Sequence, residues 1–457
     1  MPSFVGNGSD GMTPVESDAD AIVIGAGAAG LAAARSLARR SLRVIVLEAR
    51  DRLGGRVVSH TSQPSGVRAE LGAEFIHGPA PETRMLLREA GISSVDTGGE
   101  SWTRGEDDDL HRDERDFMIA ARIFEEARKL REDETVDRFL RRFENDDSMR
   151  DAAEMARAFV EGFDAADPAI ASVRSIADEI YAGADFASAR PVGGYGPMFD
   201  RLRDDCIAAG VRISLSTVVR RISWRRGSIQ IDAQLDAGEG RSFRARTAIV
   251  TLPIGVLRQG GADEAVVFDP DLPAFKHEAL RRIEMGHVVK INLWFRTAFW
   301  GRLHGGRYRD AGFFRCLDQP FPAYWTQFPR RSSLIVAWAG GPKAIALRGM
   351  SPKERIERAL DGFGSMFGAL DLARREFDAA FMHDWSGDPF ARGAYSYVTV
   401  GADGPRAALA EPLDDALFFA GEATSNDGQG GTVNGALQTG ERAAREAATS
   451  LGAVRDR

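Results

Sequence analysis

The sequence predicts an α/β fold in which a dinucleotide-binding domain, split into separated segments, carries an inserted α+β domain. Two observations set this class. Ile22-Val-Ile-Gly25-Ala-Gly27-Ala28-Ala29-Gly30-Leu31 joins an apolar strand to an Ala-rich helix through three glycines, and a second strand, Val44-Ile-Val-Leu47, ends in the acid Glu48. A run of the same form, Phe418-Phe-Ala-Gly421-Glu422-Ala-Thr424, followed by Gly428-Gln-Gly-Gly-Thr432-Val433, returns roughly 390 residues downstream. A helical stretch and a strand-rich stretch lie between them, as expected when one domain is threaded through another.

Each residue of the opening motif has a physical task. Gly25 allows the tight turn, Gly27 lets backbone approach a pyrophosphate, and Gly30 lets the helix pack closely on the strand. The helix starting at Ala28 and Ala29 offers free N–H groups and a positive end to phosphate charge. Glu48, followed by Ala49 and Arg50, is placed to accept hydrogen bonds from a ribose diol, which argues against a 2′-phosphate. The extension Asp51-Arg-Leu-Gly-Gly55-Arg56 selects a flavin over a nicotinamide. A flavin dinucleotide must thread its pyrophosphate and ribitol further into the protein, and an arginine on a tight loop suits that charge.

Bulk properties narrow the function. A chain of 457 residues exceeds a single core, and 44% apolar with 28% charged residues describes an ordinary globular protein. The net charge of −8 disfavours nucleic acid and fits a cationic small substrate as well as it fits simple solubility. Two cysteines, Cys206 and Cys316, make neither a disulfide framework nor a metal cluster and suit a reducing compartment. The polar, acidic first twenty residues do not read as a signal peptide, and no stretch has the length of a membrane span. The expectation is a cytoplasmic protein of open oligomeric state.

Along the chain, residues 1–18 read as a disordered leader and 19–83 as the first part of the cofactor domain. From 84 to 191 the pattern turns helical and acidic, with Phe117, Ala120, Phe124 and Ala127, and then Val136, Phe139, Leu140 and Phe143, at helical spacing. Glu106-Asp-Asp-Asp109 reads as a solvated loop or helix start. Segment 192–272 returns to the cofactor domain with strands near 211–215, 228–232 and 248–253. Segment 273–389 completes the substrate domain with strands at 288–295 and 334–338 and a helix at 352–367. Segment 390–457 closes the cofactor domain with a strand at 416–420 and a helix at 433–451.

Glu48-Ala-Arg-Asp-Arg-Leu-Gly-Gly-Arg56 and the matching C-terminal motif resemble the flavin-dependent amine oxidase family, which includes monoamine oxidases, polyamine oxidases and the flavin-type histone lysine demethylases. Val192-Gly-Gly-Tyr-Gly196, Val219-Arg-Arg-Ile222 and Val250-Thr-Leu-Pro253 resemble the middle segments of that family, and the similarity touches nearly the whole chain. The resemblance implies a Rossmann-like FAD domain of the two-dinucleotide-binding type, with Val219 at the adenine, Glu422 at the ribitol hydroxyls, and Thr432 and Val433 opening a helix toward the pyrophosphate or flavin. Glu70-Leu-Gly72-Ala73-Glu74-Phe75-Ile76-His77 matches polyamine oxidases best. There Gly72 to Phe75 pass the flavin and His77 lies at the substrate channel. His77 is then a candidate acceptor for a substrate ammonium, or a structural histidine in a turn.

The reacting groups come from two further segments. In Val288-Val-Lys290-Ile-Asn292-Leu-Trp294-Phe295, strand alternation puts Lys290 with Asn292 and Trp294, and periodicity alone makes that the wet face. The resemblance implies instead that Lys290 holds a water against flavin N5. If desolvated, its pKa should fall, and it then also serves to deprotonate the amine. Trp385-Ser-Gly-Asp-Pro-Phe-Ala-Arg-Gly-Ala394-Tyr395 resembles the polyamine oxidase and demethylase version, with Trp385 along the isoalloxazine and Tyr395 as an aromatic wall for the amine. The family's covalent-flavin cysteine is Ala394 here, so FAD should be noncovalent. A second cage tyrosine is Thr432, which leaves a half-cage.

The implied activity is oxidation of a primary or secondary, polyamine-like amine by hydride transfer to flavin N5, with the imine hydrolysed and O2 reduced to H2O2. The alternatives are an L-amino-acid oxidase, which needs an arginine clamp, a desaturase or porphyrinogen oxidase, and a flavin-holding scaffold without turnover. No metal-ligand spacing is present, and neither a membrane nor a nucleic-acid partner is implied.

Overall fold

Five parallel strands from three distant parts of the chain make the central sheet of this computed structural model, which describes residues 17–61, 68–113, 118–147, 149–181, 188–236, 238–258, 265–401 and 403–453. The spatial order is Arg212–Ser214, Val44–Leu47, Ala21–Ile24, Thr247–Val250 and Leu417–Phe419. The last four are fully buried and, Thr247 apart, apolar, as strands covered on both faces must be. Val23 and Val46 face the helices Ala28–Ala38, Gly196–Ala208 and Val433–Ser450, whereas Ile22, Ile24, Ile45 and Leu47 face a four-stranded sheet containing Thr217–Arg225 and Ser228–Leu235. Most of the expected leader lies outside the described residues. Within them, Asp18 is already tied down, its backbone N–H donating to Arg244 O at 2.9 Å and its carboxylate accepting from Arg244 N at 2.8 Å.

Helices Ala28–Ala38 and Val433–Ser450 pack on one another with their N-termini at the same side of the sheet. Small residues permit it: a Cβ on Gly440 would stand 2.2 Å from Ala29 O. Gly30 serves the same end against its own strand, since a Cβ there would lie 1.9 Å from Gly25 O.

The inserted part holds a seven-stranded sheet in the order Phe377–Met382, Val288–Phe295, Leu334–Gly340, Ala323–Trp325, Ala311–Arg315, Glu100–Arg104, Leu110–Arg112. The last two strands fall where helical character was expected throughout. Glu100–Arg104 is recruited by parallel pairing with Ala311–Arg315, far along the chain, a partner that local periodicity does not reveal, and Leu110–Arg112 follows as its antiparallel neighbour. Glu106 to Asp109 form the turn between them and are exposed, a solvated loop. Helices Met118–Ala127, Val136–Leu140, Arg150–Gly162 and Val173–Tyr181 bury Phe124, Phe139, Phe159 and Ile176 in a core of their own; Phe117 lies outside the described residues.

Strand Val288–Phe295 corrects the wet-face expectation. Its alternation is real: Val289, Ile291, Leu293 and Phe295 pack with Phe299, Trp300 and Phe363 beneath helix Pro352–Ser365. The opposite face is equally dry, with Lys290 3%, Asn292 0% and Trp294 6% exposed. That face lies against segment 69–74, and Asn292 Nδ2 donates to Glu70 O at 3.2 Å.

The two-helix crossing generates a stability prediction. Gly440→Val should cost about 3 kcal/mol or more, because the obstacle is backbone that cannot rotate away. A denaturant midpoint equal to that of the wild type would show that the crossing can open at no cost.

Candidate active site

A cavity of about 730 Å³ runs from the Gly25–Gly27 turn to the inner face of the seven-stranded sheet. Its wall includes Gly25, Gly27, Ala28, Ala29, Glu48, Ala49, Arg50, Gly55, Arg56, Gly72, Ala73, Glu74, Phe75, His77, Val219, Pro253, Lys290, Trp385, Tyr395, Gly421, Glu422, Thr432 and Val433. Gly30 alone of the residues singled out from the sequence stands behind the wall, at the close packing already described.

At the dinucleotide end, Gly25 has φ +102° and Gly421 φ +127°, conformations that favour glycine. A Cβ on Gly27 or on Gly421 would meet nothing within 4 Å, so both turns offer bare backbone to the cavity. Gly27 caps helix Ala28–Ala38 without a side-chain bond, leaving first-turn N–H groups for a ligand. The Gly54-Gly55 loop sits directly on this turn: Gly54 N donates to Ala26 O at 2.9 Å, and a Cβ on Gly55 would lie 3.3 Å from Gly27 Cα. At Thr217–Arg225 a register shift between Val219 and Arg221 leaves Val219 at the cavity wall.

Both motif acids staple their own loops. Glu48 Oε2 accepts from Ala26 N at 2.7 Å and Oε1 from Arg50 N at 3.0 Å. Glu422 Oε2 accepts from Ser396 Oγ at 2.6 Å and Gly431 N at 3.1 Å, while Oε1 accepts from Arg56 at 2.8 Å. Burial alone would raise the Glu422 carboxyl, but Arg56, Arg406 and Ser396 bring it below the ordinary range. Arg56, expected to meet cofactor charge, also donates to Ala394 O at 2.8 Å and so ties the opening motif to the closing one. Arg50 is held by Asp388 at 2.7 Å, and Asp388 in turn by His383 at 2.7 Å.

At the far end, Trp385 Nε1 donates to Leu71 O at 2.8 Å, fixing its ring beside Gly72. Tyr395 Oη donates to Phe163 O at 2.6 Å. Thr432, in place of a second cage tyrosine, caps the Val433–Ser450 helix by accepting from Gly435 N at 2.9 Å. His77 Nδ1 is 3.0 Å from Ser188 Oγ, and burial lowers the imidazole to about 4, so it is neutral at pH 7. Lys290 Nζ lies 2.7 Å from Glu74 Oε2 and donates to Gly72 O at 3.0 Å. Glu74 Oε1 accepts from Arg190 Nε at 2.8 Å and Trp325 Nε1 at 3.1 Å.

Sequence reasoning missed several wall residues: Phe163, Asp164, Glu179, Trp325 and Trp338. Asp164 Oδ2 is buried without a hydrogen-bond partner. Burial, and then the neighbouring Glu179, raise its carboxyl well above the ordinary range against the pull of Arg406. Nothing in Gly162-Phe-Asp-Ala-Ala-Asp-Pro168 marks it out. Arg190 was missed too, because its partner Glu74 is far away in sequence. Among the described residues there is no cluster suited to a metal ion, and no helix is long and apolar enough to cross a membrane.

This arrangement defines a dinucleotide-binding protein in which two helix N-termini from opposite parts of the chain face one cavity, with an aromatic and charged chamber beyond. A family model described as flavin containing amine oxidoreductase matches residues 28–448, and the chain belongs to that family. It is 30% identical over 458 residues to Polyamine oxidase 3 of Oryza sativa subsp. japonica, covering 93% of this chain and 88% of that one. It is also 30% identical over 464 residues to the rice Lysine-specific histone demethylase 1 homolog 2, covering 94% of this chain but only 57% of that protein. Among solved structures it is similar to wild-type Putrescine Oxidase bound to putrescine, with TM-score 0.77, 22% identity, and 93% and 98% of the chains covered. Cyclohexylamine Oxidase from Brevibacterium oxydans IH-35A gives TM-score 0.78 at 21% identity, covering 95% and 100%.

The residues present fit FAD, the cofactor of this family. Bare turns at Gly27 and Gly421 and an uncapped helix start would take the pyrophosphate, and the wall from Trp385 to Lys290 would take the ring system. Binding is noncovalent. Ala394 stands on the wall, while Cys206 and Cys316 are both buried off it, the first against Leu31 O and the second beside Asp318.

The depressed His77 value implies a pH dependence. As pH falls, the unfolded chain takes up this proton first, near 6.5, while the folded protein resists to about 4. Stability from this residue is therefore complete above about pH 6.5 and lost between about 6.5 and 4. Denaturant titrations across that window should show a shallower acid decline in His77→Asn than in the wild type; parallel curves would mean that His77 protonates without penalty.

Proposed function

We propose that this protein oxidises a polyamine-like primary or secondary amine to an imine, with O2 as the final acceptor. One observation carries the reading: Asp164, beside Glu179 at the aromatic end of the cavity, is a buried carboxyl with too little opposing charge. Such a group is costly to ionise alone and is relieved by a cation placed against it. An alkylammonium provides that cation, and the rings of Phe163, Tyr395 and Trp338 offer apolar walls to its methylenes and π-faces to its charge. The Tyr395 ring is anchored through its hydroxyl, and Trp338 through Nε1 to Gly162 O at 2.7 Å, so both walls are preorganised. Neutral His77 is able to accept a hydrogen bond from the substrate nitrogen and help hold the reacting carbon. Lys290 contributes a donor and positive charge where the flavin would sit. FAD, held by the Gly27 and Gly421 turns and the wall from Trp385 to Lys290, would supply the redox chemistry, namely hydride acceptance and reduction of O2 to H2O2.

The polyamine oxidase relatives and the putrescine-binding structural neighbour support an amine substrate. Amino-acid oxidation and a scaffold without turnover are not favoured. We assign segments 19–83, 192–272 and 390–457 to the cofactor domain and 84–191 and 273–389 to the substrate domain. Two free cysteines support a reducing, cytoplasmic setting.

An anaerobic panel of putrescine, spermidine, spermine, aromatic monoamines and amino acids, scored by flavin bleaching, tests the substrate class. Bleaching by amino acids alone would overturn it. Asp164→Asn should raise the KM for di- and polyamines about tenfold, the equivalent of about 1.4 kcal/mol, and change the aromatic monoamines less. Lys290→Met should slow reoxidation of the reduced enzyme by about 10-fold to 1000-fold; a wild-type rate in stopped flow would remove Lys290 from this step.

A further inference from the structure

Lys290 is 3% exposed, and its ammonium has three N–H donors. Its Nζ forms an ion pair with Glu74 Oε2 at 2.7 Å and donates a hydrogen bond to Gly72 O at 3.0 Å, while the Trp325 ring centroid is 5.9 Å from Nζ. The same carboxylate collects donors from Arg190 at 2.8 Å, Trp325 at 3.1 Å and Gln327 at 3.3 Å. Burial would raise the Glu74 carboxyl, but Lys290 and then Arg190 overcome it and hold it down at about 2. The charged groups facing this cluster are thus Glu70 and Glu74 from segment 69–75 and Arg190 from strand Ser188–Pro191. A lysine buried without an anion tends to give up its proton; one against a carboxylate keeps it.

We propose that Glu74 is a positioning residue that, through its ion pair, holds Lys290 in place as a charged ammonium at the cavity wall. Lys290 then acts only as a donor and fixed charge, and the substrate amine must lose its proton elsewhere. The functional part of this inference rests on the reading that Lys290 serves the flavin site.

The test uses the flavin-loaded full chain as wild type, Glu74→Gln, Lys290→Met and the double variant. Thermal melting reads the clamp independently of turnover. Glu74→Gln should lower Tm by about 5 °C, and Lys290→Met should cost less in the Glu74→Gln background than in the wild type. Stopped-flow reoxidation of the reduced enzyme between pH 6 and 9 reads the consequence. Above the Glu70 titration at about 7, the wild-type rate should stay flat to pH 9, while the Glu74→Gln rate should fall about tenfold toward the Lys290→Met rate. Additive melts with superimposable pH profiles would overturn the proposal. Coupled melts with Lys290→Met reoxidising at the wild-type rate would support the clamp and overturn the catalytic reading of Lys290. Should Glu74→Gln not fold, Glu74→Asp keeps the charge but withdraws it by one methylene; a pH profile and melt identical to the wild type would then count against the clamp.

Discussion

Helices Ala28–Ala38 and Val433–Ser450 touch where Gly440 meets the carbonyl of Ala29, and most of the site follows from that contact. It is a constraint of size rather than of attraction. With backbone on both sides and no side chain between, the two helices share one face of the sheet and direct both N-termini into one cavity. The positive ends and unpaired N–H groups then act on the same volume, which suits an extended, doubly charged ligand. Arg56 completes the joint by bonding to Glu422 and Ala394 O across the chain's two ends.

The charges around the cavity divide into two kinds. Glu48 spends its oxygens on backbone N–H groups, and Glu422 divides its own among Gly431 N, the Ser396 hydroxyl and Arg56, so both order glycine turns that have no side chains of their own to hold them. Glu74 spends its oxygens on Lys290, Arg190, Trp325 and Gln327, a set drawn from three separate segments. Asp164 is the exception, with Oδ2 buried without a hydrogen-bond partner beside the like charge of Glu179. A protein interior tolerates such a group where a ligand brings the compensation.

Much of this was legible in the sequence, for a physical reason. The turn at Gly25 and the close packing at Gly30 are local features, and local rules anticipated both. Alternation at Val288–Phe295 was also local, and it separated the two faces correctly. Whether the second face is wet depended on segment 69–74 docking against it, which periodicity cannot register. The same holds for strand Glu100–Arg104, whose partner is Ala311–Arg315, and for Arg190, whose partner is Glu74. Gly440 sits unremarked in an amphipathic helix, and only the neighbour it admits gives it meaning. Asp164 differs again: its significance is a missing partner, and one chain of letters does not show that.

The sheet order also bears on how the protein is made. Leu417–Phe419 is an edge strand beside Thr247–Val250, and the second phosphate-facing helix follows it. Translation at about 5–20 residues per second separates synthesis of the two helix starts, 433 − 28 = 405 residues apart, by roughly 20–80 s. During that interval the nascent polypeptide has half a cradle. A cradle with both helix starts therefore exists only once the second of them has been made.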